Sequence, residues 1–296
     1  MRSLGAKAGS RERMRPAPVL TTILPPLLGL ILTFAIGWSV AIVIGRLEAT
    51  RGMTEKREGS LVADGAAGVL GFLGAAAAFL IGVLMLASVD HFNATSNVAN
   101  QEAISYSAAF QSSVALAESD RQIVQRDLVC LMRSVASDSW SASVKGDLAG
   151  DRNTNAWLAK TLSDLNTIEP QRDTQLDPLG SVESELRDAA KFGQERLLSG
   201  ELHLPPAMWG LLFLSLLVLV FLMTMMMRPY PLLLAVSLGA TFVVSAGMIF
   251  VLVAFAEPFD TDTGVYISPQ ALEAVMIRME EAQPGAAWEP CESLIP

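Results

Sequence analysis

Four stretches of this 296-residue chain contain no aspartate, glutamate, lysine or arginine: 16–45, 65–89, 202–227 and 229–256. A helix needs about 20 apolar residues to cross a ~30 Å hydrocarbon core, and each stretch reaches that length. They explain why the chain is 51% hydrophobic and only 17% charged, where a soluble domain carries roughly a quarter charged residues. A soluble enzyme, a secreted disulfide scaffold and a disordered chain are thereby excluded. The pattern predicts an all-α protein: four transmembrane helices, with a helical extramembrane domain inserted between the second and third spans. The expected order is a basic leader 1–17, a span 18–45, a charged loop 46–64, a span 65–89, a helical domain 90–203, spans 204–227 and 229–256, and an acidic tail 257–296.

The first stretch is longer than a signal-peptide core and no A-x-A-like site follows it, so it reads as an uncleaved span. Pro25-Pro26 is expected to divide it into an interfacial part, 17–25, and a crossing part, 26–45. Pro205-Pro206 introduces the third span, and Arg228-Pro-Tyr-Pro231 reads as a tight turn into the fourth. Trp209 and Tyr230 suit interfacial positions.

The second span differs from the others. Gly65, Gly68, Gly71 and Gly74 recur every three residues, followed by Ala75 to Ala78 and Gly82. Gly71, Ala75, Ala78 and Gly82 share one helical face, and small faces let backbones approach closely where lipid supplies no hydrophobic drive. This face is expected to pack against other spans or other subunits. Phe72 and Phe79, seven apart on a flank of the same helix, are candidates for a hydrophobic constriction. The alternative is a pair of lipid-facing or packing aromatics.

Net charge is −9, unevenly distributed. Residues 90–201 hold 17 acids and 10 bases, and 257–296 hold eight acids against Arg278 alone, so nucleic acid, which needs a basic footprint, is not an expected partner. Counting lysine and arginine near span ends puts Arg2, Lys7, Arg11, Arg13, Arg15, Lys191 and Arg196 on one side, and Arg46, Arg51, Lys56, Arg57 and Arg228 on the other. By 7 to 5, leader, large domain and tail are expected in the cytoplasm of a cell whose inner membrane holds the protein.

In the middle domain Phe110, Val114, Ala117, Val124, Leu128, Leu131 and Val135 form a coiled-coil-like stripe that continues from the second span, with Arg121 at its one missing position. Arg121 is a partner or switch candidate; the plainer reading pairs it with Glu118 or another acid. A Ser/Asp/Gly-rich break is expected at 137–154, then helices over 154–168 and 181–199. Ser268-Pro269 reads as a cap and first position of a tail helix with Leu272, Val275, Met276 and Met279 on its packing face.

Sites for chemistry are sparse. Cys130 and Cys291 read as two unpaired small hydrophobes. His91 and His203 have no clustered carboxylates or thiolates, and Asp260-Thr-Asp262-Thr-Gly264 lacks the later ligands of a calcium loop. No phosphate-binding, dinucleotide-binding or zinc motif is present. No enzymatic activity, catalytic residue, cofactor or metal is expected. The absence of ionisable groups inside the spans weighs against a proton-coupled pump and leaves a passive pore for an inorganic ion, which would need several copies around an axis.

Local motifs also carry a resemblance. Glu102-Ala103, Arg121-x-Ile123, Val135 running to Trp140, Arg196-Leu197, Leu204-Pro205, Trp209, Pro258-Phe259, Gly264 and Ser268-Pro269 occur in an order that resembles the bacterial bestrophin-like membrane family of unknown function, over roughly residues 20–280. Departures are Phe110-Gln111-Ser112 in place of an aromatic-Arg-Asp triplet, Ser139 in place of an acid, and an insertion at Asp260–Thr263. Bestrophins are oligomeric anion channels with a neck lined by their second span, so the resemblance implies a homo-oligomer gated at Phe72 and Phe79. The acidic soluble part would instead attract cations. The rival expectation is a non-conducting membrane sensor or scaffold whose helical domain binds a protein partner through the stripe.

Overall fold

The computed structural model describes residues 18–50, 59–147, 151–168, 176–200, 206–227, 231–261, 264–282, 291, 293 and 294. The basic leader, His203, Leu204-Pro205, Tyr230 with its turn, and Asp262-Thr263 lie outside them. The described residues are helical throughout, without strand: α1 Pro18–Thr50, α2 Gly59–Ser113, α3 Glu118–Ser134, a π-helical turn Val135–Ser139, α4 Trp140–Lys145, α5 Arg152–Thr167, α6 Leu176–Leu198, α7 Pro206–Met227, α8 Pro231–Ala256 and α9 Gln270–Glu281. Three of these are long and apolar enough to cross a membrane, within Gly71–Ser113, Ala207–Met227 and Leu232–Ala256; α1 carries a shorter apolar stretch, Leu24–Val40.

Pro25-Pro26 does not divide α1, which runs unbroken from Pro18 to Thr50 with both prolines inside it. Proline removes a backbone bond and kinks soluble helices, but in an apolar setting the remaining backbone groups must be satisfied within the helix. Hydroxyls in the apolar helices obey the same rule. Thr33 donates to the carbonyl of Gly29 at 2.7 Å and Thr224 to that of Val220 at 2.7 Å.

The chain forms two compact units, one from Met1–Phe79 with Ala207–Val253, the other from Leu80–Pro206 with Ala254–Pro296. In the first, glycines make the close approaches. A Cβ at Gly29 would lie 2.9 Å from the Phe213 ring, and one at Gly37 would lie 2.9 Å from Val220 Cγ1, so α1 meets α7 through two glycines eight residues apart. Phe34 of α1 sets its ring edge-on to Phe242 of α8 at 5.3 Å.

The second unit holds a conventional core built on α3. Val124, Leu128, Leu131, Met132 and Val135 are buried with Trp157 and Leu165 of α5, Val182 and Leu186 of α6, and Leu272 and Met279 of α9. The stripe foreseen over 110–135 is therefore interrupted and internal. The chain turns at 114–117, where Val114 is exposed and Ala117 is extended (φ −59, ψ 149). Glu118 and Asp120 then open α3 and favour its positive end. The stretch foreseen as a break at 137–154 is helical through Lys145, because Trp140 packs edge-on to Phe259 at 5.4 Å and tertiary contact outweighs the weak propensity of its serines. Gly146 ends α4 in the left-handed conformation (φ 63, ψ 23), and Asp147 N–H returns to the Ala142 carbonyl at 2.9 Å. Helix α6 begins at Leu176, earlier than the foreseen 181. Ser268 does not cap the tail helix: the cap position is Pro269, with no side-chain bond to the helix.

The cysteine reading is corrected. Cys130 and Cys291 form a disulfide with Cα atoms 5.4 Å apart across 161 residues. Folding brings α3 and the end of the tail together, and nothing in linear spacing shows it.

Between α3 and α5, Lys160 Nζ donates to both Asp127 oxygens at 2.7 Å and to Asp164 Oδ2 at 2.7 Å. Burial pushes the Asp127 carboxyl above its ordinary range, while the Lys160 hydrogen bond holds Asp164 below its own. Burial works against the Lys160 ammonium, yet bonds from both acids outweigh it and raise its pKa. The raised ammonium adds stability that is complete below the unfolded lysine value and lost as pH climbs through the folded one. The depressed Asp164 adds stability present above its unfolded value and lost in acid. Lys160→Met strands Asp127, only 2% of whose side chain is exposed. The variant should lose about 2 kcal/mol near pH 7 and less near about pH 4, where Asp127 takes up a proton. Thermal midpoints at the two pH values check this.

Candidate functional site

At 100° per residue, α2 presents two sides between Val69 and Ser88. One side is packed: Ala77, Ile81, Leu84 and Ser88 are buried, and Gly74 lies against Leu219. The other is open. Phe72 is 73% and Phe79 71% exposed, and Leu86, a further seven residues on, is exposed as well. The predicted small-residue face lies beside this ridge. Gly71, Ala75, Ala78 and Gly82 are all exposed, and a Cβ added at Gly71 or Gly82 would meet no atom within 4 Å. Within one protomer the close glycine contacts are thus those of α1, and the small face of α2 is left free. An aromatic ridge beside a groove of small residues is a pair of complementary shapes on one helix.

Further along α2, the chain buries a charge. Glu102 is 1% and Arg196 of α6 0% exposed. Arg196 Nε donates to Glu102 Oε2 at 2.7 Å and Nη2 to Oε1 at 3.3 Å, a two-pronged contact suited to a planar guanidinium. The remaining donors are also used. Nη2 reaches Ser139 Oγ at 2.9 Å, and Nη1 reaches Ser143 Oγ and, at 3.5 Å, the Ser139 carbonyl. The guanidinium carbon lies 5.1 Å from the centre of the Trp140 ring. A Cβ at Gly193 would come 2.9 Å from Glu102 Oε1, so glycine there lets α6 approach the carboxylate. The π-helical turn sets Ser139, Trp140 and Ser143 toward Arg196; π-turns recur at functional positions in helices.

Arg121, the partner or switch candidate, pairs with Glu118 one turn away. The stripe it interrupted is packed inside the unit, which removes the surface the scaffold reading needed. Among the described residues no group of three metal-ligating side chains comes together. Sequence reasoning missed the Glu102–Arg196 pair. Both residues stood in separate pieces of the family pattern, but 94 positions apart they showed no link.

Comparison with known proteins follows from this geometry. The family model described as Bestrophin-like domain matches residues 31–272, most of the chain. Crystal structures of two single-substitution variants of a bacterial bestrophin homolog from Klebsiella pneumoniae are similar. One is 16% identical with a TM-score of 0.56, covering 89% of this chain and 98% of that one; the other is 15% identical with a TM-score of 0.49, covering 89% and 97%. At these identities the likeness speaks for the fold alone. None of the curated proteins compared matches. With four-fifths of its length inside the family model and an all-helical fold shared end to end with a bestrophin homolog, the chain belongs to the Bestrophin-like family.

Proposed function

We propose that this protein crosses the cell (inner) membrane four times and assembles as a ring of identical copies around an ion-conducting axis lined by α2. The observation that carries the reading is the open side of α2, where the ridge of Phe72, Phe79 and Leu86 adjoins the groove of Gly71, Ala75, Ala78 and Gly82. A ridge and groove at different angles on one helix favour head-to-tail contacts, and such contacts close into rings. Family membership supports the same assembly. With no acid or base in 65–89, the axis would be a passive apolar constriction rather than a proton relay. The acid excess of the soluble part would concentrate cations at its mouth. The reading involves no catalytic step and no cofactor.

Light scattering of the detergent-solubilised protein should give a mass of several copies, and liposomes containing it should release potassium or chloride. A monomer or dimer, or tight vesicles in both salts, would overturn the pore and leave a non-conducting membrane scaffold.

A further inference from the structure

The chain has two cysteines in 296 residues, and they are joined. Cys130 is 3% exposed, in the core with Leu128, Val129 and Leu131, and Cys291 packs against the same cluster. The end of the tail is held there by other contacts too. The Leu294 N–H donates to Asn153 Oδ1 at 3.1 Å, and Arg133 reaches Glu280 of α9 at 2.7 Å while its Nη1 lies 3.6 Å from Cys291 Sγ. The bond therefore closes a docked arrangement rather than joining two surface thiols.

We propose that the helical extramembrane unit faces the oxidising, extracytoplasmic side of the membrane, where the Cys130–Cys291 bond forms and fastens the tail to α3. Disulfides persist outside the cytosol and are kept reduced within it. Bonds that serve as cytosolic redox switches are exposed to attacking thiolates; this one is enclosed on the Cys130 side. The charge count offers no opposition once its own rule is applied. Only short connections, up to about 60 residues, steer orientation, because long domains translocate largely regardless of charge. Residues 90–203 exceed that limit, so Lys191 and Arg196 leave the tally. What remains is the five leader bases against Arg46, Arg51, Lys56, Arg57 and Arg228, five to five. The disulfide breaks that tie, reversing the orientation read from the sequence. Loop 46–64 and Arg228 then face the cytoplasm. The inference is independent of conduction.

Cells producing the full-length protein are quenched with acid, denatured and treated with a maleimide-polyethylene glycol reagent, before or after reduction. The same chain is also produced with alkaline phosphatase or green fluorescent protein at its C-terminus. Orientation as proposed gives no band shift before reduction, a double shift after it, an active phosphatase and a dark fluorescent protein. A double shift without reduction overturns the proposal, and so does a bright fluorescent fusion with inactive phosphatase, whatever the state of the thiols.

Discussion

Arg196→Met is expected to destabilise the extramembrane unit by about 3–5 kcal/mol, the usual cost of leaving one partner of a buried ion pair uncompensated. In a unit of this size that is a fall in thermal midpoint of roughly 10 °C. The cause is Glu102: its carboxylate would remain in the core with its two Arg196 contacts gone, and the hydroxyls of Ser139 and Ser143 would lose their acceptor-seeking partner at the same moment. Arg196→Lys should recover little, because an ammonium cannot span two carboxylate oxygens and two serines together. The double variant Glu102→Leu/Arg196→Met should recover most of the loss, since a buried pair replaced by apolar side chains is often neutral. Wild-type unfolding in Arg196→Met would show that the pair does not anchor α2 to α6.

Phe72→Ala and Phe79→Ala are expected to raise ion flux through reconstituted liposomes about tenfold each, the rate equivalent of removing about 1.4 kcal/mol from a barrier. A ring of phenylalanines gates by excluding water from a narrow apolar passage, and alanine widens and rewets it. Leu232→Ala on α8, a residue that is also highly exposed in the protomer, serves as the control and should leave flux unchanged. Equal flux in all three variants would place the two rings against lipid.

What could be read in advance follows from how far each interaction reaches along the chain. The charge-free stretches and the helical pattern are local, so the all-α class and the apolar helices were legible without coordinates. The family motifs pointed to a membership that the match over 31–272 bears out. Long-range pairings were not legible. Glu102 meets Arg196 across 94 residues and Cys130 meets Cys291 across 161, and neither periodicity nor spacing encodes such a meeting. Two local rules also failed for physical reasons. Pro25-Pro26 looked like a boundary because soluble helices break there, yet α1 continues. The serines of 137–147 looked like a loop because their propensity is weak, yet Trp140 and the Arg196 contacts hold them in helix.

The π-helical turn over Val135–Ser139 has a consequence for which changes the protein can tolerate. Such a turn is a helix carrying one residue more than ordinary winding requires. Deleting that residue would let the backbone relax to regular winding and swing everything after it by about 100°. Ser139, Trp140 and Ser143 would then point away from the guanidinium they now surround. Ala136 and Ser137, neither of them buried, contribute spacing more than chemistry. Their identity is free to drift, while the number of residues between Ser134 and Trp140 is not.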